Sequence, residues 1–123
     1  MTDLKLGIVE RRFAELIWAN EPLSSGALVK LCEAELHWKK PTTYTVLRKL
    51  CEKGIFRNEN GAVTSLLTRA DFDAIQGAQL VNESYGGSLP AFIAAFAAGR
   101  PLSEKEIAKI REMIDRFGKE NGV

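Results

Sequence analysis

Asn60-Gly61 separates two short runs of strand character, Ile55 to Glu59 and Ala62 to Leu67. This dipeptide strongly favours a two-residue hairpin, because both of its residues tolerate the positive φ that a type I′ turn requires. The chain is therefore expected to double back here. What precedes the hairpin reads as helical. From Glu10 to Trp18, the residues Phe13, Leu16 and Ile17 recur at helical spacing, and Asn20 with Glu21-Pro22 stops the run because proline pushes its predecessor out of the helical region. Leu23-Ser24 then offers an N-cap to a second helix, whose apolar stripe is Ala27, Leu28, Leu31 and Cys32 and which ends near Leu36. Pro41 suits the first turn of a third, with Val46, Leu47, Leu50 and Cys51 facing inward and Gly54 supplying a left-handed C-terminal cap.

Three helices followed by a hairpin, all inside about seventy residues, is the order of a winged helix-turn-helix. The outer face of the third helix carries Thr42, Thr45, Lys49 and Glu52, with Arg48 beside them. Small hydroxyl side chains that approach bases, flanked by long cations that reach the backbone, are what a major groove accepts. The expected DNA-binding set is Lys40, Thr42, Thr43, Tyr44, Thr45, Arg48 and Lys49, with Arg57 on the wing. The charge distribution agrees. Residues 1–70 hold 11 basic and 8 acidic side chains, a surplus of three, whereas residues 71–123 hold 6 and 8, a deficit of two. Between Trp38 and Arg57, six cations face the single acid Glu52, a local patch of the sign that phosphates attract. Charge alone does not separate this from an ordinary solvated helix face.

Beyond Arg69 the pattern is helical again: Asp71 to about Val81, a break at Tyr85-Gly86-Gly87, Leu89 to Phe96, and a last helix from Glu104 to Phe117. Ser103 and Glu106 form a capping box for the last helix, and Gly118 is expected to end it. Phe92, Ile93 and Phe96 on one helix and Ile107, Ile110, Ile114 and Phe117 on the next form apolar stripes. So few short helices cannot enclose a separate core, so these stripes are expected to pack against a second copy. The fold class expected is mainly α with a small β-hairpin wing: a winged helix-turn-helix DNA-binding domain over 1–70 and a helical dimerisation domain over 71–123.

Composition excludes several alternatives. With 46% hydrophobic and 27% charged residues the chain reads as globular rather than disordered or membrane-embedded. The first residues show no apolar run of signal-peptide length, so the expected compartment is the cytoplasm. Cys32 and Cys51 fall on separate helices with no second Cys or His at chelating spacing, which marks them as reduced core thiols and predicts no metal and no cofactor. His37 stands alone, Trp18 and Trp38 read as packing residues, and no nucleophile-base arrangement or phosphate-cradling glycine loop occurs, so no enzyme is expected.

The sequence from Trp38 to Leu50, WKKPTTYTVLRKL, closed by Glu52-Lys53-Gly54, is similar position for position to the recognition-helix pattern of the penicillinase repressor family. Glu10 to Trp18 followed by Pro22-Leu23-Ser24 resembles that family's first helix and turn, and Leu102-Ser103 resembles the step that opens its last helix. The resemblance covers almost the whole chain. It implies a homodimeric transcriptional repressor on a palindromic operator, with Thr42, Thr45 and Arg48 at the DNA face, acting on β-lactamase or related operons. It also implies relief through a membrane sensor-protease pathway that cuts the C-terminal part at a position aligning with Ala95-Phe96. The chain departs from the pattern in two places: its wing strand Ala62 to Leu67 lacks the family's Arg, aromatic and Pro residues, and Ala95 stands where the cut bond has Asn. A C-terminal cysteine cluster of the copper-sensing kind is missing, so copper sensing is not expected. Two other readings share the DNA-facing half or dispense with it: a winged-helix regulator relieved by a small molecule bound among its C-terminal helices, and a winged helix used only for protein interaction.

Overall fold

The computed structural model describes residues 4–120. Along these run α1 (Ile8–Asn20), β1 (Leu23–Ser24), α2 (Ser25–Leu36), α3 (Lys40–Glu52), β2 (Phe56–Glu59), β3 (Ala62–Ser65), α4 (Arg69–Tyr85), α5 (Leu89–Gly99) and α6 (Glu104–Glu120). The expected class, mainly α with a hairpin wing, is what the chain forms. It divides into two compact units, one up to Gln79 and one from Leu80 onward, so that the division falls within α4.

In the first unit, Asn60 (φ 52°) and Gly61 (φ 80°) make the tight turn between β2 and β3, with Glu59 opposite Ala62 and Arg57 opposite Thr64. A third strand joins them. Leu23 and Ser24 pair with Val63 and Ala62, giving the antiparallel order β1-β3-β2. Two residues are too short to show a strand period, so this strand was legible only as a cap. Ser24 does serve as that cap, its hydroxyl accepting the N–H of Ala27 at 3.0 Å. The next residue, Ser25, donates its N–H to the Gly61 carbonyl at 2.8 Å, so the hairpin turn is pinned to the start of α2.

The end of α3 explains why the wing leaves in a defined direction. Gly54 sits at φ 81°, its N–H reaches Cys51 O at 3.0 Å, and the N–H of Ile55 reaches Leu50 O at 3.1 Å. This is a Schellman motif, and its apolar clasp is present because Leu50 and Ile55 are both buried. The core gathers Phe13, Ala14 and Ile17 from α1, Leu28 and Cys32 from α2, Leu47 and Leu50 from α3, Ile55, Phe56 and Val63 from the wing, and Phe72 from α4. Each large apolar side chain enclosed this way contributes about 1.5–3 kcal/mol. Both tryptophans close the core as expected. Trp38 stacks on Phe13 with ring centres 5.5 Å apart, while Trp18 packs between Phe56 and Phe72 and donates its indole N–H to Leu67 O at 3.0 Å.

In the second unit, Gly86 and Gly87 take positive φ and end α4. The hydroxyl of Ser88 then caps α5 by accepting Ala91 N–H at 3.1 Å. The capping box is formed, with Glu106 N–H donating to Ser103 Oγ at 3.1 Å and Ser103 N–H to Glu106 Oε1 at 3.3 Å. One expectation fails: α6 passes through Gly118 and continues to Glu120. A glycine ends a helix only by turning left-handed, and keeping it helical instead costs about 1 kcal/mol, little enough for one position near a helix end. Among the described residues of this unit none is fully buried, and Leu89, Phe96, Ile114 and Phe117 are conspicuously exposed.

Candidate nucleic-acid interface

Lys39 caps α3 and Pro41 occupies its first turn, where its missing N–H leaves no bond unmade. From there the helical period sorts the side chains. Thr43, Leu47 and Leu50, at spacing i, i+4, i+7, are buried, whereas Lys40, Thr42, Thr45, Arg48, Lys49 and Glu52 are exposed.

Thr43 must therefore be withdrawn from the expected DNA-binding set. It lies on the core stripe with no exposed surface, and its hydroxyl finds no hydrogen-bond partner of good geometry. What lies beside it is the Cys32 thiol, which burial pushes upward in pKa and the Thr43 hydroxyl pulls partly back.

Tyr44 is half-buried, and its hydroxyl sits 3.2 Å from Ser25 Oγ, joining α3 to the start of α2 beside the wing turn. Lys40 reaches over the Tyr44 ring, its ammonium 6.0 Å from the ring centre. Thr45 donates its hydroxyl to the Pro41 carbonyl at 2.9 Å. Its proton is thus committed, and what it can offer outward is a lone pair or its methyl group. Arg48 flanks a shallow hollow shared with Tyr44, Leu47, Cys51 and Asn58.

Asn58, on β2, was missed by sequence reasoning. Strand alternation sets it on the opposite face from Arg57, but its place beside Arg48 depends on how the Gly54 turn aims the wing. Cys51, in the same hollow, has its thiol pushed up by burial, with the Asn58 backbone partly offsetting this.

The cations around α3 are not equally available. Lys49 Nζ lies 2.9 Å from Glu10 Oε2 on α1, Lys53 donates to Lys5 O at 2.9 Å, and Arg57 pairs with Glu59 at 3.6 Å along β2. Among the described residues Lys39, Lys40 and Arg48 are in no ion pair. The carboxyl of Glu10 is held below its ordinary range, first by Lys49 and then by the N–H of Gly7. The basic face narrows to Lys39, Lys40 and Arg48 around Thr42 and Thr45.

A sequence profile of penicillinase repressors matches residues 6–116. The chain belongs to the penicillinase repressor family. A penicillinase repressor from Staphylococcus aureus is 22% identical over 121 residues, which span 95% of this chain and 96% of that protein. Members of the penicillinase repressor family are DNA-binding transcriptional regulators, not enzymes, in keeping with a face made of threonines and cations. Among the described residues no helix is long and apolar enough to cross a membrane.

Of the residues expected to join two copies of this repressor, Phe92, Ile93, Phe96 and Ile110 surround one apolar hollow with Leu102, and Arg100 and Glu106 lie at its edge, 3.1 Å apart. Ile107 is half-covered, and Ile114 and Phe117 stand open on α6. Ala95 and Phe96, where a cut was expected from the resemblance, lie within α5 and are exposed.

Proposed function

We propose that this member of the family represses transcription as a homodimer on a palindromic operator, reading it with the exposed face of α3 and joining its copies through α5 and α6. The observation that carries the reading is the segregation on α3. Thr43, Leu47 and Leu50 anchor the helix in the core, so Thr42, Thr45 and Arg48 are held outward on a rigid element with Lys39 and Lys40 at its N-terminal end. A helix so presented fits a major groove, with hydroxyls and methyls toward base edges and cations toward phosphates.

Dimerisation is supported by the second unit itself. With no fully buried residue among those described and five large apolar side chains exposed, Leu80 among them, it has too little core to order its helices alone. The controlled operons are of the β-lactamase or related type, as for the family. Release by a sensor-protease pathway through Ala95-Phe96 requires α5 to unwind locally, since proteases accept extended chain.

Selection from a random duplex pool tests the central reading. The expected product is a palindrome with half-site centres about 10 base pairs, or a multiple of a helical turn, apart. A pool with no enriched dyad would overturn it.

A further inference from the structure

Glu10 uses both of its carboxylate oxygens. Oε1 accepts the N–H of Gly7 at 3.0 Å and closes the first turn of α1, while Oε2 holds the Lys49 ammonium at 2.9 Å. Lys49 lies one turn after Thr45 and next to Arg48, on the exposed side of α3. Its side chain remains 57% accessible, whereas that of Glu10 is only 21% accessible. The anion is fixed in place, and the cation leans on it. A lysine already neutralised at contact distance releases no further counterion when DNA arrives, unless the pair is broken.

Resting on the reading of α3 as the DNA-contacting helix, we infer that Glu10 is a positioning residue that withholds Lys49 from the phosphate backbone and so sets the strength of sequence-independent binding. Lys40 and Arg48, which have no carboxylate partner among the described residues, carry the phosphate contacts of α3. The capping bond fixes the geometry of the withholding carboxylate. Gly7 and the first turn of α1 orient one oxygen, and the other is thereby aimed at α3.

The test uses the full chain and a random-sequence duplex, titrated over a salt series. Lys49→Ala is expected to leave the slope of log K against log salt nearly as in the wild type. Glu10→Gln, whose amide oxygen can still accept the Gly7 N–H, is expected to steepen that slope by about one unit and to tighten binding severalfold at low salt. In the Lys49→Ala background, Glu10→Gln should leave the slope unchanged. The inference is overturned if Lys49→Ala alone flattens the slope by about one unit, because Lys49 would then already sit on a phosphate. It is also overturned if Glu10→Gln steepens the slope equally without Lys49, which would be a general effect of removing a negative charge. Wild-type protein with no salt-dependent binding would instead defeat the DNA reading itself, and this inference with it.

Discussion

Arg11 donates to Asp73 at 2.7 Å across 62 positions of sequence, and the same guanidinium reaches Glu15 at 2.8 Å while lying 5.4 Å from the centre of the Trp18 ring and 5.5 Å from that of Phe72. One side chain thus joins α1 to the start of α4, where Phe72 enters the core. The ion pairs are partly exposed and worth about 0–1 kcal/mol, and the ring contacts add about 0.5–1 kcal/mol. Arg11→Ala should therefore lower unfolding stability by about 1–2 kcal/mol in urea titration, with DNA affinity at saturating folded protein unchanged.

The same contact predicts a pH dependence. Arg11 holds the Asp73 carboxyl below its ordinary range, so the pair's contribution is complete above the unfolded pKa, near roughly 4, and is lost as pH falls through the lower folded value. The stability difference between wild type and Asp73→Asn should be constant at neutral pH and shrink as the solution is acidified below that point. A difference that grows on acidification would contradict this assignment.

Thr43→Val removes a buried hydroxyl that has no good partner. Because leaving such a group in the core carries a desolvation cost, the variant should be as stable as the wild type or more stable by about 1 kcal/mol. Operator affinity should be unaltered, since Thr43 has no exposed surface. A loss of affinity without a loss of stability would return Thr43 to the DNA face.

Lys40→Ala and Thr45→Ala should separate positioning from reading. The first is expected to weaken binding on every sequence and to flatten the salt slope by about one unit. The second should cost about 1 kcal/mol or more on the selected operator and little on random DNA. Because the Thr45 proton is committed to Pro41, the base feature it reads is a donor or a thymine methyl. Equal losses on both duplexes would make Thr45 a backbone contact.

Ile110→Asp places a charge in the apolar hollow beside Phe92, Ile93 and Phe96. Sedimentation at micromolar concentration should show a dimer for the wild type and a monomer for the variant, because a charge without a partner in a closed interface is strongly destabilising. Unchanged association would remove α5 and α6 from the interface.

Much of this protein follows from local chemistry that a sequence carries by itself. The type I′ turn at Asn60-Gly61, the Gly54 cap, the Ser24 and Ser103 caps and the polar stripe on α3 each depend on a few neighbouring residues, and a side chain's intrinsic backbone preference acts at that range. The run from Trp38 to Gly54 carried the family for the same reason, being contiguous. Only the tertiary structure decided what depends on residues far apart. Leu23 and Ser24 become a strand because Val63 and Ala62 arrive beside them, and Asn58 comes to line the same hollow as Arg48 because the wing folds back after the Gly54 turn. Lys49, by its period a free cation, is claimed by Glu10 from another helix. Thr43 was legible in the sequence, because its i, i+4, i+7 spacing with Leu47 and Leu50 puts it on their buried face, and only its hydroxyl chemistry argued for the surface. Periodicity specifies which face a residue occupies. The partner met on that face is set by packing between segments, which acts through space and leaves no mark at any single position.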